Sequence, residues 1–220
     1  MLTLTPPDAG LFHDIEKTLR ALWMPGDWFK LTPQVVHHYA WKAAICRAAC
    51  KYVNRTGDFR IIEIGTRAGY SLASFRRGIA GHCDSTALCF DAGIDQDSAA
   101  CLLHFNQWVQ SNRIPAWLVP VNTRDLGATV ATSTGPIRWT LPPCDFAHID
   151  GEHTTHGALR DINLVNQCPV ILVDDCDNAE VLAAVKKKAE GVGNINVQYV
   201  NDGLRTLGVI SWGGSTGPRG

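Results

Sequence analysis

Two apolar runs in this chain end in clustered acids. Phe146-Ala147-His148-Ile149 leads into Asp150-Gly151-Glu152-His153, and Val170-Ile171-Leu172-Val173 leads into Asp174-Asp175. Each run is long enough for a buried strand and too short for a helix. Unbroken apolar stretches of this kind mark parallel strands covered on both faces. An acid just past such a strand stands at the rim of the sheet, where open α/β folds bind ligands. Neighbouring strands lie about 4.8 Å apart, so adjacency would bring Asp150, Asp174 and Asp175 to one point. Three carboxylates that close repel, and one must keep its proton unless a cation lies between them. Such hard oxygen donors favour Mg²⁺ over zinc, with Mn²⁺ or Ca²⁺ as substitutes. A divalent ion there could take a vicinal diol, lower the pKa of a hydroxyl and fix its oxygen. His153 is three residues beyond Asp150, and its ordinary pKa of about 6.5 suits it to accept the hydroxyl proton; helix capping or a supporting contact is the competing role. His148, inside its apolar run, reads as a core histidine.

A second set begins at Glu63-Ile64-Gly65-Thr66-Arg67-Ala68-Gly69-Tyr70-Ser71. The glycines allow a sharp turn and close approach of backbone to a ligand. Their spacing is Gly-x-x-x-Gly, a poor match to a dinucleotide pyrophosphate loop. Glu63 would repel a diphosphate and suits a ligand amine. Asp91 closes the next strand, where an acid can accept hydrogen bonds from both ribose hydroxyls of a nucleoside.

With these residues in view, the chain resembles a class I S-adenosylmethionine-dependent methyltransferase. It is most similar to the bacterial group of macrocin-type sugar O-methyltransferases and small proteins with an Ile-Asp-Gly-(Asp/Glu)-His segment. The resemblance rests on the 63–69 loop, Asp91, His148 to His153, Leu159-Arg160-Asp161 and Val173-Asp174-Asp175. It implies that Glu63, Gly65, Thr66, Gly69 and Ser71 hold the methionine part of the cofactor and Asp91 the ribose. It further implies that Asp150, Asp174 and Asp175 bind magnesium; beside it, the reading of the residues themselves assigns the chemistry to Asp150 and His153. The chain departs from the group in its short N-terminal region and tyrosine-poor acceptor side, so the small-molecule acceptor is left unnamed. Two alternatives stay open: a metal-independent methyltransferase with a histidine base, and a non-catalytic protein that binds the same cofactor.

The elements that must position these residues follow from punctuation and periodicity. Asp8 to Trp23 suits one amphipathic helix. Thr32-Pro33 opens a second, with a capping hydroxyl and a first-turn proline, running to about Arg55 before Gly57. The aromatic link 23–29 suits either core packing or a lid. From Gly57 strands and helices alternate. Strands are expected at 60–64, 87–91, 117–121, 145–149 and 169–173, with a terminal pair at 195–200 and 205–211 around Asn201-Asp202-Gly203. The proline inside the third strand suits an edge. Thr123 to Pro143 reads as a loop with a turn of helix. Alternation predicts a doubly wound, mostly parallel seven-stranded α/β sheet with an antiparallel C-terminal hairpin. The expected division is a helical extension at 1–56, a catalytic domain at 57–212 and a disordered tail at 213–220.

The bulk numbers narrow the partners. A formal net charge of −1 over 220 residues gives no field to gather nucleic acid or an anionic membrane. Lys186-Lys187-Lys188 falls late in a helix, where it complements the dipole. Arg160, Asp161 and Glu180 read as surface charges on helices, and His37-His38 as solvent or core residues, with one of them facing the cleft as the alternative. The eight cysteines form no C-x-x-C pair, and no apolar segment has the length of a membrane span. The reading is a reduced, cytoplasmic protein, open to homo-oligomerisation.

Overall fold

The computed structural model describes residues 1–24, 30–53, 57–92, 96–126, 129–132, 135–138 and 141–213. Residues 25–29 of the aromatic link and 214–220 of the tail lie outside them. The elements, in chain order, are α1 (Ala9–Leu22), α2 (Pro33–Val53), β1 (Phe59–Ile64), α3 (Tyr70–Ile79), β2 (Ser85–Asp91), α4 (Gln96–Ser111), β3 (Ala116–Pro120), β4 (Thr129–Thr132), β5 (Gly135–Arg138), β6 (Phe146–Ile149), α5 (Thr155–Leu164), β7 (Val170–Val173), α6 (Ala179–Gly191), β8 (Ile195–Asn201) and β9 (Thr206–Trp212). Four of the helices (α1, α2, α5 and α6) start where side-chain oxygens satisfy first-turn N–H groups. Asp8 accepts from Leu11 N at 2.7 Å, Thr32 from Val35 N at 3.3 Å, Thr154 from Gly157 N at 3.0 Å and Asn178 from Glu180 N at 2.9 Å.

Seven strands form one sheet in the order β3-β2-β1-β6-β7-β9-β8. The first five are parallel, and β9 is antiparallel to both β7 and β8. The terminal hairpin therefore inserts its second strand next to β7, and β8 takes the outer edge. β3, with Pro120 as its last residue, is the opposite edge. The 123–143 stretch departs from expectation. After a single 3-10 turn at Thr123–Asp125 it carries the antiparallel pair β4–β5. This stretch is rich in Gly, Thr and Pro, which punctuate turns and loops, so no strand signal stands out.

Both sheet faces are covered. On one, Phe59 and Ile61 of β1, Phe146 of β6 and Leu172 of β7 pack under α2, α3 and α4 through Ile45, Ala49, Phe75 and Phe105. On the other, Ile62, Ile64, Ile149 and Val173 meet α5 and α6 through Ala158, Ile162, Val181 and Val185. Each large apolar side chain so buried contributes about 1.5–3 kcal/mol. The N-terminal helices share this packing: α1 presses Leu11, Ile15 and Leu19 onto α2 and α3. Among the described residues no helix is long and apolar enough to cross a membrane, and the eight cysteines are unbridged.

The strand order reverses between β1 and β6. Connections leave these two strands in opposite directions, and the crevice at their carboxyl ends is where such sheets bind ligands.

Candidate active site

That crevice is an open cleft of about 510 Å³ walled by the ends of β1, β2, β6 and β7, by α2, and by the β8–β9 turn. Its size falls within the range of small-molecule and cofactor sites.

The cofactor half is backbone-built. Gly65 (φ 85°) and Gly69 (φ 82°) occupy left-handed conformations. A Cβ on Gly65 would stand 2.0 Å from the Asp150 carbonyl oxygen, and one on Gly69 would stand 2.3 Å from the Phe105 ring. The loop can lie this close to β6 and α4 only without side chains. Thr66, Ser71 and Asp91 border the cleft with the two glycine positions Gly65 and Gly151. Asp91 Oδ2 accepts from Arg67 N at 2.8 Å, which ties the end of β2 to the loop. A turn open to backbone approach, followed by a strand-end acid, fits a nucleoside cofactor.

Glu63 departs from its expected role. It is wholly buried and does not border the cleft. In β1 it alternates with Ile62 and Ile64, so it points to the α2/α3 face. There it stands opposite its register partner His148, with Oε1 3.2 Å from His148 Nδ1. The Cys89 thiol approaches Oε2 at 3.8 Å. Burial is the main cause that raises the Glu63 pKa to about 8, so the carboxyl is neutral at pH 7. Burial, followed by the Lys42 charge, likewise keeps His148 neutral, with its pKa well below the ordinary value. Its Nε2 has no partner among the described residues.

The acids past β6 and β7 do converge, because the strands are neighbours. The chain turns at Asp175 (φ 56°), which lets consecutive aspartates serve one site. Their partners were not legible as such. Lys42 of α2 is fully buried, 2.5 Å from Asp174 Oδ2 and 3.9 Å from Asp150 Oδ2. His38, one helical turn earlier, sits between Asp174 (3.4 Å) and Asp202 (2.6 Å). Arg205 pairs with Asp175. His153 Nε2 lies 3.5 Å from Asp150 Oδ1 and 3.2 Å from Asp175 Oδ2. Burial opposes charge on Asp174, yet Lys42 and His38 hold its pKa well below the carboxylate range. Burial and the Lys42 charge oppose protonation of His38, but Asp174 and Asp202 outweigh them and raise its pKa.

This arrangement does not fit a divalent ion held jointly by Asp150, Asp174 and Asp175. Two groups of donors come within 4.8 Å of one another: His148 with Asp150 and Asp174, and Asp150 with His153 and Asp175. Each includes an acid already neutralised by Lys42 or Arg205. Magnesium on Asp174 Oδ2, at its usual distance of about 2.1 Å, would lie within about 4.6 Å of the Lys42 ammonium. At an effective dielectric of about 20, that repulsion is about 7 kcal/mol. Lys42 and Arg205 thus already place positive charge against the acids expected to hold magnesium.

One further expectation changes. Asp161 is buried rather than a surface charge. It accepts from Arg160 at 3.0 and 3.2 Å, while Arg160 also reaches Thr123 at 3.0 Å and Glu152 at 3.3 Å. Glu152 in turn pairs with Arg124 at 2.8 Å; that bond is the main reason its pKa falls to about 2. This network braces the β6–α5 loop that carries His153. Aromatic side chains also line the cleft. Trp23 stacks on Tyr70 with centroids 4.4 Å apart, Tyr39 meets Tyr70 edge-on, and all three border the cleft.

Comparison with known proteins places this geometry. Residues 62–176 match the methyltransferase domain family. The chain belongs to that family, and it is a class I S-adenosylmethionine-dependent methyltransferase. The fold matches a cofactor-bound protein, Rv0187 from MTB, at 16% identity over 96% of this chain and 98% of that one (TM-score 0.53). It also matches a putative O-methyltransferase from Klebsiella pneumoniae at 13% identity, over 94% and 92% of the two chains (TM-score 0.53). A third match is the apo TDP-rhamnose 3'-O-methyltransferase of calicheamicin biosynthesis, at 15% identity over 97% and 98% (TM-score 0.51). These likenesses concern the fold. No curated protein matches the chain in sequence.

Proposed function

We propose that the protein methylates a hydroxyl of a small acceptor, with His153 as the proton acceptor and without a divalent ion. The carrying observation is the position of His153 at the cleft rim, its Nε2 facing Asp150 and Asp175. Two of the proteins that share the fold are named as O-methyltransferases, in keeping with this reading. S-adenosylmethionine supplies an activated sulfonium methyl when bound. Gly65, Thr66, Ser71 and Asp91 border the half of the cleft assigned to it, and Gly69 shapes the loop behind them. The protein then needs to align an acceptor oxygen in line with that methyl, and alignment is a large share of the rate. Asp150 and Asp175 orient His153, which takes the hydroxyl proton as the new O–C bond forms and the C–S bond breaks. Trp23 and Tyr39 offer a flat apolar wall to the acceptor.

Calorimetry should find micromolar binding of S-adenosylmethionine or its demethylated product, weakened at least about tenfold in Asp91→Ala. Absence of heat and of any thermal shift with either ligand would overturn the assignment of the cleft.

The base has its own signature. The hydrogen bond to Asp150 is the main cause that raises the His153 pKa above its ordinary 6.5, against partial burial. A base must be unprotonated, so kcat/KM should rise with pH through a midpoint above 6.5. Asp150→Asn should move that midpoint down, and His153→Gln should lower kcat about 10²–10⁴-fold. A flat acidic limb, or wild-type turnover by His153→Gln, would remove His153 from the chemistry.

A further inference from the structure

We propose that Lys42 is a resident cation that replaces a metal ion in this enzyme, so that the acceptor is held as a single hydroxyl and not as a chelating diol. The inference rests on the O-methyltransferase reading for its second half only.

Lys42 enters from α2, a different element from the strands whose ends supply the acids. Its side chain is 1% exposed. Nζ has three donors, and three oxygens stand around it: Asp174 Oδ2 at 2.5 Å, Ser71 Oγ at 3.0 Å and Asp150 Oδ2 at 3.9 Å. The Tyr39 ring lies 5.2 Å away, within cation–π range. The ammonium thus links the first turn of the helix after the glycine loop, through Ser71, to the ends of β6 and β7. One buried charge ties the cofactor half of the cleft to the acceptor half.

The rest of the cluster follows the same plan. Asp150, Asp174, Asp175 and Asp202 face Lys42, Arg205, His38 and His153. Four acids meet four basic side chains without any ion added. Magnesium requires near-octahedral oxygen coordination and retains waters, whereas Asp174 here is closed over by Lys42 and His38. A metal template offers two adjacent open positions and so favours a diol; an ammonium that is already enclosed offers none. Discrimination must then come from the aromatic wall and from reach to His153. Lys42 is a positioning residue, acting through the carboxylates it fixes.

The test is Mn²⁺ binding, followed by electron paramagnetic resonance, in the full-length wild type and in Lys42→Met. Wild type should bind no stoichiometric Mn²⁺ below about 1 mM. Removal of the ammonium frees the carboxylates, so Lys42→Met should gain one Mn²⁺ per chain at least about tenfold more tightly. Asp174→Asn in the Lys42→Met background should abolish that site again. Stoichiometric micromolar Mn²⁺ on wild type would overturn the proposal. So would a Lys42→Met protein that melts cooperatively and still binds none. If Lys42→Met does not melt cooperatively, Lys42→Gln serves in its place, and the wild-type titration retains its power to overturn. These readouts need no turnover, so failure to find an acceptor leaves them intact. Where an acceptor is found, a more than tenfold preference for a vicinal diol over its mono-hydroxyl analogue, abolished by chelator, would overturn the second half alone.

Discussion

Asp174→Ala is expected to destabilise the fold by about 3–5 kcal/mol, the range for breaking a buried ion pair from one side. The carboxylate is nearly inaccessible and is the shared counter-charge of Lys42 and His38. Without it the ammonium keeps only Asp150, at 3.9 Å, and the imidazole keeps only Asp202. Asp174 Oδ1 also accepts from the Asp175 amide at 2.9 Å, which holds the left-handed turn after β7. The loss should therefore reach Asp175 and, through it, His153. Denaturant unfolding at pH 7 measures the effect, and a loss under about 1 kcal/mol would contradict the assigned pairing. The double variant Lys42→Met with Asp174→Leu should recover much of the deficit, because apolar replacement of both members of a buried pair is often near neutral. Recovery would separate the energetics of the pair from its role in positioning.

The contrast between Asp174 and Lys42 explains what could be read from the chain. The acids follow apolar runs, and the ends of buried parallel strands are where ligand-binding residues stand in such sheets. Their convergence was legible because adjacent strands leave few alternatives. The glycine loop and Asp91 were legible for the same reason. Lys42 was hidden because a lysine in a helix usually faces water. A weak signal existed: Val35, His38, Lys42, Ile45 and Ala49 recur at helical spacing, and all five prove buried. A stripe that mixes Val, Ile and Ala with His and Lys marks a helix whose inner face meets charge. Arg205 carried no comparable signal, since its role depends on β9 lying beside β7, and the chain order gave no hint of that insertion. Nor could the type of cation be inferred from the acids alone. Their mutual repulsion demands positive charge, and an ammonium or guanidinium from a distant segment satisfies it as well as a metal.

The largest pH effect should come from Glu63→Gln. Strand parity puts Glu63 on the α2/α3 face beside His148, away from the cleft, although its place at a strand end suggested a ligand contact. In the fold its pKa is about 8, against an ordinary 4.5, with burial as the first cause. An acid whose pKa is raised on folding binds its proton more tightly in the native state than in the unfolded chain. Stability from this group is therefore greatest below pH 4.5 and declines as pH rises toward 8, by about 1.4 kcal/mol per unit in between. Over the whole interval the decline amounts to about 3–5 kcal/mol. Glutamine has similar shape and no proton to lose, so the variant should escape that decline. Other groups titrate in the same window with their own signs. His148, kept neutral by burial, stabilises the fold progressively as pH rises through the ordinary histidine range. The informative quantity is accordingly the difference between variant and wild type, which cancels such shared contributions. Urea unfolding at pH 5, 6, 7 and 8 should show Glu63→Gln gaining on wild type at each step. A constant difference across that range would mean that Glu63 is ionised in the native state. The neutral Glu63–His148 pair beneath the glycine loop would then have to be replaced by a charged one.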